Sequence, residues 1–147
     1  MKKYEKIMFV CTDNTAISPM AEAIMNHLTK NCIDICSRGM VVLFSEPYNP
    51  KIYDILNEKD IYIKENHTKQ LTNRDFTENT LVLVPSEHMK NSIYSEYDAA
   101  INTYTLRDFV GLGGDIAEPF GQGMEAYRAL FDELYEILTK VSEMIEL

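Results

Sequence analysis

Two apolar runs constrain the fold of this chain more than any other feature: "KIMFV" at 6–10 and "TLVLV" at 80–84. Neither alternates between apolar and polar residues, as a strand with one wet face would. A strand without a polar face belongs to a sheet covered on both sides, and such sheets are usually parallel. Parallel neighbours need crossovers, and helical stretches lie between the runs. Over 18–30, Met20, Ala21, Ile24, Met25 and Leu28 share one helical face. Further helices are expected near 50–58 and 86–95. The last 24 residues form another, with Tyr127, Leu130, Phe131, Leu134, Ile137, Leu138, Val141 and Ile145 at helical spacing. "CIDIC" (32–36) and "INTYTL" (101–106) supply two more strands. The pattern predicts an α/β fold, one four-stranded parallel sheet with helices on both faces, in a single domain over 1–147. Such sheets bind ligands at the carboxyl ends of their strands, where Cys11 would stand.

A chain of 147 residues builds one domain with a proper core and is too short for two. Its 46% apolar and 25% charged content is that of a soluble globular protein. No run is long enough to span a membrane. Two lysines precede an apolar stretch at the start, but that stretch is too short for a signal peptide and leads straight into a loop. A formal charge of −9 argues against nucleic acid and anionic membranes as partners. The three cysteines make no disulfide framework. With 32–36 extended, Cys32 and Cys36 share a face about 13 Å apart, beyond bonding reach, and both are expected in the core. No metal-ligand spacing is present, and no metal or cofactor is expected. Cysteine usage of this kind is that of the cytoplasm.

"VCTDNTAISPMAEA" (10–23), "CSRG" (36–39), "NHTKQLT" (66–72) and "EPFGQGMEAYRALFDELYEIL" (118–138) occur in that order along the chain. Together they resemble the low-molecular-weight protein tyrosine phosphatases and their relatives, the protein-arginine phosphatases and arsenate reductases. The resemblance runs end to end and implies the Rossmann-like fold of that family. It implies that Cys11 is a thiolate nucleophile and that Ser18 donates to its sulfur. The amides of Thr12, Asp13, Asn14, Thr15, Ala16, Ile17 and Ser18 would line a phosphate loop at a helix start. Asn14, Ser37 and His67 would brace that loop, Glu118 would be the general acid, and Phe120 would wall the pocket. The substrate implied is a phosphoprotein or a phosphorylated small molecule, with phosphate or sulfate bound weakly at the loop.

The chain departs from the family at the chemistry itself. The family's arginine six residues after the cysteine is Ile17, which cannot grip phosphoryl oxygens bidentately. Its glycine is Asp13, a position that wants a permissive backbone and whose carboxylate repels a dianion. Its second loop cysteine is Ala16, so Cys11 has no neighbouring thiol, and arsenate reduction ranks low. The acid is glutamate where the family has aspartate, and Asp115 is a substitute out of register. Thr15 resembles the arginine-phosphatase branch; it could help position an attacking water or merely bond within the loop. Arg38 is the one arginine near enough by topology to replace the clamp, with Arg107 and Arg128 remote. His27 and His88 read as surface or partly buried residues. Two functions follow: an impaired cysteine-dependent phosphatase acting on phosphotyrosine or phosphoarginine, or a pseudophosphatase that binds without turnover.

Overall fold

A computed structural model of the protein describes residues 3–145; the outermost residues of the domain expected over 1–147 lie outside them. The four strands are β1 (Lys6–Cys11), β2 (Asp34–Gly39), β3 (Thr80–Val84) and β4 (Thr103–Thr105). They lie in the order β2-β1-β3-β4, with every pairing parallel. Five helices accompany them: α1 (Ile17–Thr29), α2 (Pro50–Glu58), α3 (Glu87–Glu96), the single turn α4 (Leu106–Phe109) and α5 (Met124–Met144). A further 3₁₀ turn covers Asn73–Asp75.

The pleat sorts the two central strands into two cores. Ile7, Phe9, Leu81 and Leu83 face α1 and α5, packing with Met20, Ile24, Leu134 and Leu138. Met8, Val10, Val82 and Val84 face the other way, onto Met89 and Ile93 of α3 and onto Leu71 and Phe76. The uninterrupted apolar runs thus have the cause that periodicity assigned them: both faces are covered.

Two strand boundaries differ from the sequence expectation. The second strand is not 32–36 but 34–39, because Lys30 and Asn31 both take left-handed φ values, 54° and 59°, as α1 ends. Cys32 is spent on that turn and is exposed, not the core cysteine expected, while Cys36 is half-buried and packs against the core on the α3 face of the sheet. The last strand is shortened to three residues because the Thr105 hydroxyl accepts from the Asp108 amide at 3.0 Å and starts α4.

The order of strands puts β1 between β2 and β3, so Cys11 leaves the sheet at its centre. The Met40 amide donates to the Cys11 carbonyl at 3.0 Å and the Val41 amide to the Thr12 carbonyl at 2.9 Å. Those bonds hold the loop after β1 against the segment after β2. Gly39 makes the approach feasible: a Cβ there would lie 2.8 Å from the Asp13 carbonyl carbon and 2.9 Å from the Asn14 nitrogen. No helix among the described residues is long and apolar enough to cross a membrane.

Candidate active site

Cys11 ends β1 with its side chain fully buried. Its Sγ lies 2.9 Å from the Ser18 hydroxyl, and the Ser18 amide donates to the sulfur at 3.4 Å from the first turn of α1. These contacts favour a thiolate. Burial opposes them, and so does the charge of Glu118; together they push the Cys11 thiol up to about 11. The thiol is therefore the resting form at neutral pH.

Asn14 braces the loop. It is fully buried, with a left-handed φ of 62°. Its Nδ2 donates to Ser18 Oγ at 2.8 Å and to Ser37 Oγ at 3.0 Å, and its Oδ1 accepts from the Lys69 amide at 2.9 Å. The bracing expected of His67 is not found. The extended segment around it turns Thr68 inward and His67 out to solvent, where its Nδ1 meets Asn66 Oδ1. A backbone amide from Lys69 takes the part the imidazole was expected to play.

The permissive backbone expected at Asp13 falls one residue later, on Asn14. Asp13 instead folds its carboxylate back into the loop. Its Oδ1 accepts from the Thr15 amide at 3.1 Å and from the Thr15 hydroxyl at 2.7 Å. Ile17 opens α1 with 1% exposure and packs into the core on that face of the sheet, so it offers nothing to the loop.

Each arginine considered as a substitute clamp is engaged elsewhere. Arg38 donates through Nη1 to the Ser37 carbonyl at 2.8 Å and places Nε 3.5 Å from Asp75. Arg107 pairs with Glu133 at 3.1 Å, and Arg128 with Glu58 at 2.9 Å.

Glu118 approaches the loop from the segment before α5. Its Oε1 accepts from the Thr12 hydroxyl at 3.5 Å, and its Oε2 is buried without a hydrogen-bond partner. Burial, followed by the charge of Asp13, raises the carboxyl group to about 7, against the pull of the Thr12 amide and hydroxyl. Near neutrality a large share of it is a carboxylic acid able to donate. Asp115 is not the acid: it accepts from the Glu87 amide at 3.0 Å, at the start of α3. Phe120, expected as a pocket wall, is 47% exposed two residues beyond Glu118. A cleft of about 350 Å³ opens between Thr12, Met40, Pro85, His88, Ile116 and Glu118. Among the described residues no cluster of His, Cys, Asp and Glu could hold a metal ion.

Glu22 and Tyr48 were not expected here. They are 4% and 3% exposed and lie close to Ser37, behind the loop brace, where burial raises both groups above their ordinary values. Glu22 carried a signal, as an acid inside the apolar face of "MAEAIM". Tyr48 carried none, because its loop reaches Ser37 only through the tertiary fold.

A parallel sheet that delivers a buried cysteine to a loop closing at a helix start, with that helix's first-turn amide donating to the sulfur, is the architecture of a cysteine-dependent phosphatase. The chain belongs to the low molecular weight phosphotyrosine protein phosphatase family, whose profile matches residues 6–146. It is 33% identical to a protein-arginine-phosphatase of Geobacillus stearothermophilus over 143 residues, 96% of each chain. It is 31% identical to the low molecular weight protein-tyrosine-phosphatase PtpB of Staphylococcus haemolyticus, covering 92% of this chain and 96% of that one. The crystal structure of a low molecular weight protein tyrosine phosphatase from T. tengcongensis superposes with a TM-score of 0.88. That pair is 31% identical, over 95% of this chain and 99% of the other.

Proposed function

We propose that the protein is a cysteine-dependent phosphatase of this family whose turnover of phosphotyrosine or phosphoarginine is strongly impaired. In the reaction, the Cys11 thiolate attacks phosphorus and the bond from phosphorus to the leaving oxygen or nitrogen breaks. The Glu118 carboxylic acid protonates that leaving atom; water, giving its proton to the Glu118 carboxylate, then attacks the phosphocysteine, breaking the sulfur–phosphorus bond and releasing phosphate and the thiolate. The impairment is carried by one observation: Ile17 lies in the core at 1% exposure where a guanidinium would face the substrate. A transition-state arginine in phosphoryl transfer is worth roughly 10³–10⁵ in rate.

Protonation adds to the deficit. With the thiol near 11 and the acid near 7, four pH units separate the two groups in the wrong order. The reactive pair, a thiolate beside a carboxylic acid, is then a minor form at every pH. Similarity to a protein-arginine-phosphatase supports phosphoarginine as substrate, and similarity to PtpB supports phosphotyrosine. Three free cysteines support a reducing compartment, the cytoplasm.

A second reading, a binding module without turnover, is favoured by the loop's own acids. Asp13 takes the Thr15 amide and Glu118 takes the Thr12 hydroxyl, leaving fewer donors for an oxyanion such as phosphate or sulfate. Hydrolysis of an aryl phosphate, a phosphotyrosine peptide and a phosphoarginine peptide by this protein and by Ile17→Arg/Asp13→Gly tests both. The expected rate of the unmodified protein is at least about 10³-fold below that of the double variant. Equal rates that vanish in Cys11→Ser would refute impairment; no Cys11-dependent turnover would favour the binding module.

A further inference from the structure

The segment between Met40 and Asn49 carries an apolar surface that begins at the rim of the candidate active-site cleft, where Met40 and Val41 line it, and runs beyond it. Leu43 and Phe44 are each 83% exposed, and Val41 is 59% exposed. Contiguous apolar side chains held in water mark contact sites more often than chance would place them. Both ends of this segment are pinned. The Val42 amide donates to Gln70 Oε1 at 2.7 Å, and Gln70 Nε2 donates to the Met40 carbonyl at 2.8 Å. Further on, the Glu46 amide donates to Thr68 Oγ1 at 3.0 Å, and the Thr68 amide to the Glu46 carbonyl at 2.8 Å. Leu43 and Phe44 stand between these two clamps, so a partner meets a platform whose ordering cost is already met.

The platform has a charge as well as a shape. Asp13 and Glu46 share a cleft of about 230 Å³ with Val41, Val42, Leu43 and Phe44. Among the described residues neither carboxylate belongs to an ion pair. The cations that adjoin the loop, Arg38 and Lys69, are committed to Asp75 and Glu65.

We propose that this platform docks a protein segment in which a lysine or arginine adjoins a leucine, phenylalanine or similar bulky side chain. The bulky residue packs on Leu43 and Phe44, and the cation lies between Asp13 and Glu46. Unphosphorylated segments are accepted, since no step at Cys11 is involved. An acidic segment is repelled, and the net charge of −9 extends that repulsion beyond the cleft. A second copy of this chain is a poor occupant for the same reason, as it would bring the same acids to a self-paired interface.

Fluorescence anisotropy with a labelled, unphosphorylated peptide of alternating lysine and leucine tests the proposal. Controls replace every lysine by glutamate, or every leucine by serine. The lysine–leucine peptide is expected to bind, and to weaken at least about tenfold between low salt and half-molar salt. Leu43→Ser/Phe44→Ser and Asp13→Asn/Glu46→Gln are each expected to weaken it about tenfold or more. Unchanged urea midpoints show that these variants remain folded. No binding by the lysine–leucine peptide, or equal binding by the glutamate control, overturns the proposal. So does a dimer in sedimentation that Phe44→Ser dissolves. Cys11→Ser is expected to bind the peptide as the unmodified protein does. A protein that lacks turnover yet binds the peptide therefore counts against the phosphatase reading alone.

Discussion

Asp13 Oδ1 accepts both the Thr15 amide, at 3.1 Å, and the Thr15 hydroxyl, at 2.7 Å. An acid of the loop thus holds an amide that a phosphate loop turns toward its anion. Its charge also opposes a bound oxyanion, by roughly 3 kcal/mol per charge at 5 Å and an effective dielectric near 20, less where solvent screens it. Asp13→Gly is expected to tighten phosphate binding at least about tenfold. Protection of Cys11 from iodoacetamide by added phosphate measures this. Unaltered protection in the variant would show that Asp13 is not what weakens the cradle.

Asn14 should dominate the stability of the loop, and His67 should contribute almost nothing. Asn14→Ala removes three hydrogen bonds in a buried site and puts at a φ of 62° a residue without asparagine's tolerance of left-handed backbone. The expected loss is about 3 kcal/mol in urea unfolding. Asn14→Gly relieves the backbone but not the lost bonds, and should fall between. His67→Ala, at an exposed position, should stay within about 0.5 kcal/mol. A large effect at His67 with a small one at Asn14 would reverse the assignment.

Ile17→Arg should gain rate and lose stability together. The isoleucine fills the core at 1% exposure, so its removal costs about 2–4 kcal/mol in thermal or urea unfolding. The guanidinium, turned into the loop, meets Asp13 and pairs with it, so the recovered turnover is partial. Adding Asp13→Gly should release it, and the two gains should exceed additivity as free energies. Strict additivity would mean the two side chains never meet.

Glu118 and Cys11 set a pH profile with a flat top. Above about pH 6 the substrate phosphate is a dianion, and turnover should rise with the thiolate until Glu118 ionises near 7. Between about 7 and 11 each gain in thiolate is offset by a loss of acid, giving a plateau. Glu118→Gln should slow a substrate with a poor leaving group and abolish its plateau, so that its rate rises until Cys11 ionises, below 11 because the Glu118 charge that raised the thiol is gone.

Stability carries the same signature. The folded value near 7 lies above the ordinary 4.5, so the folded state binds the extra proton and stability falls as pH rises through that window. Glu118→Gln removes this loss, and its advantage should grow from pH 4.5 to 7 by less than about 2 kcal/mol after solvent screening. A pH-independent difference would place the carboxyl group in water.

Much of this protein was legible before any coordinates. The unbroken apolar runs at 6–10 and 80–84 required cover on both faces, which is a property of composition along the strand. Cys11, Asn14 and Ser18 lie within eight residues, so a single strand–loop–helix unit brings them together with little help from the rest of the chain. The loss of the clamp at Ile17 was equally local. Contacts between distant segments were not legible. That His67 faces water while the Lys69 amide braces Asn14 depends on which side of an extended segment packs inward, and a one-residue slip reverses it. The apolar "VVLF" at 41–44 gave no sign that its last two residues stay exposed between Gln70 and Thr68. The values near 11 and 7 arise from burial and from Glu118 meeting the loop 106 residues away along the chain. Sequence alone determined the frame and the residues offered to the site, because those follow from local pattern. Only the tertiary structure decided their protonation and partners, because desolvation and charge act through space.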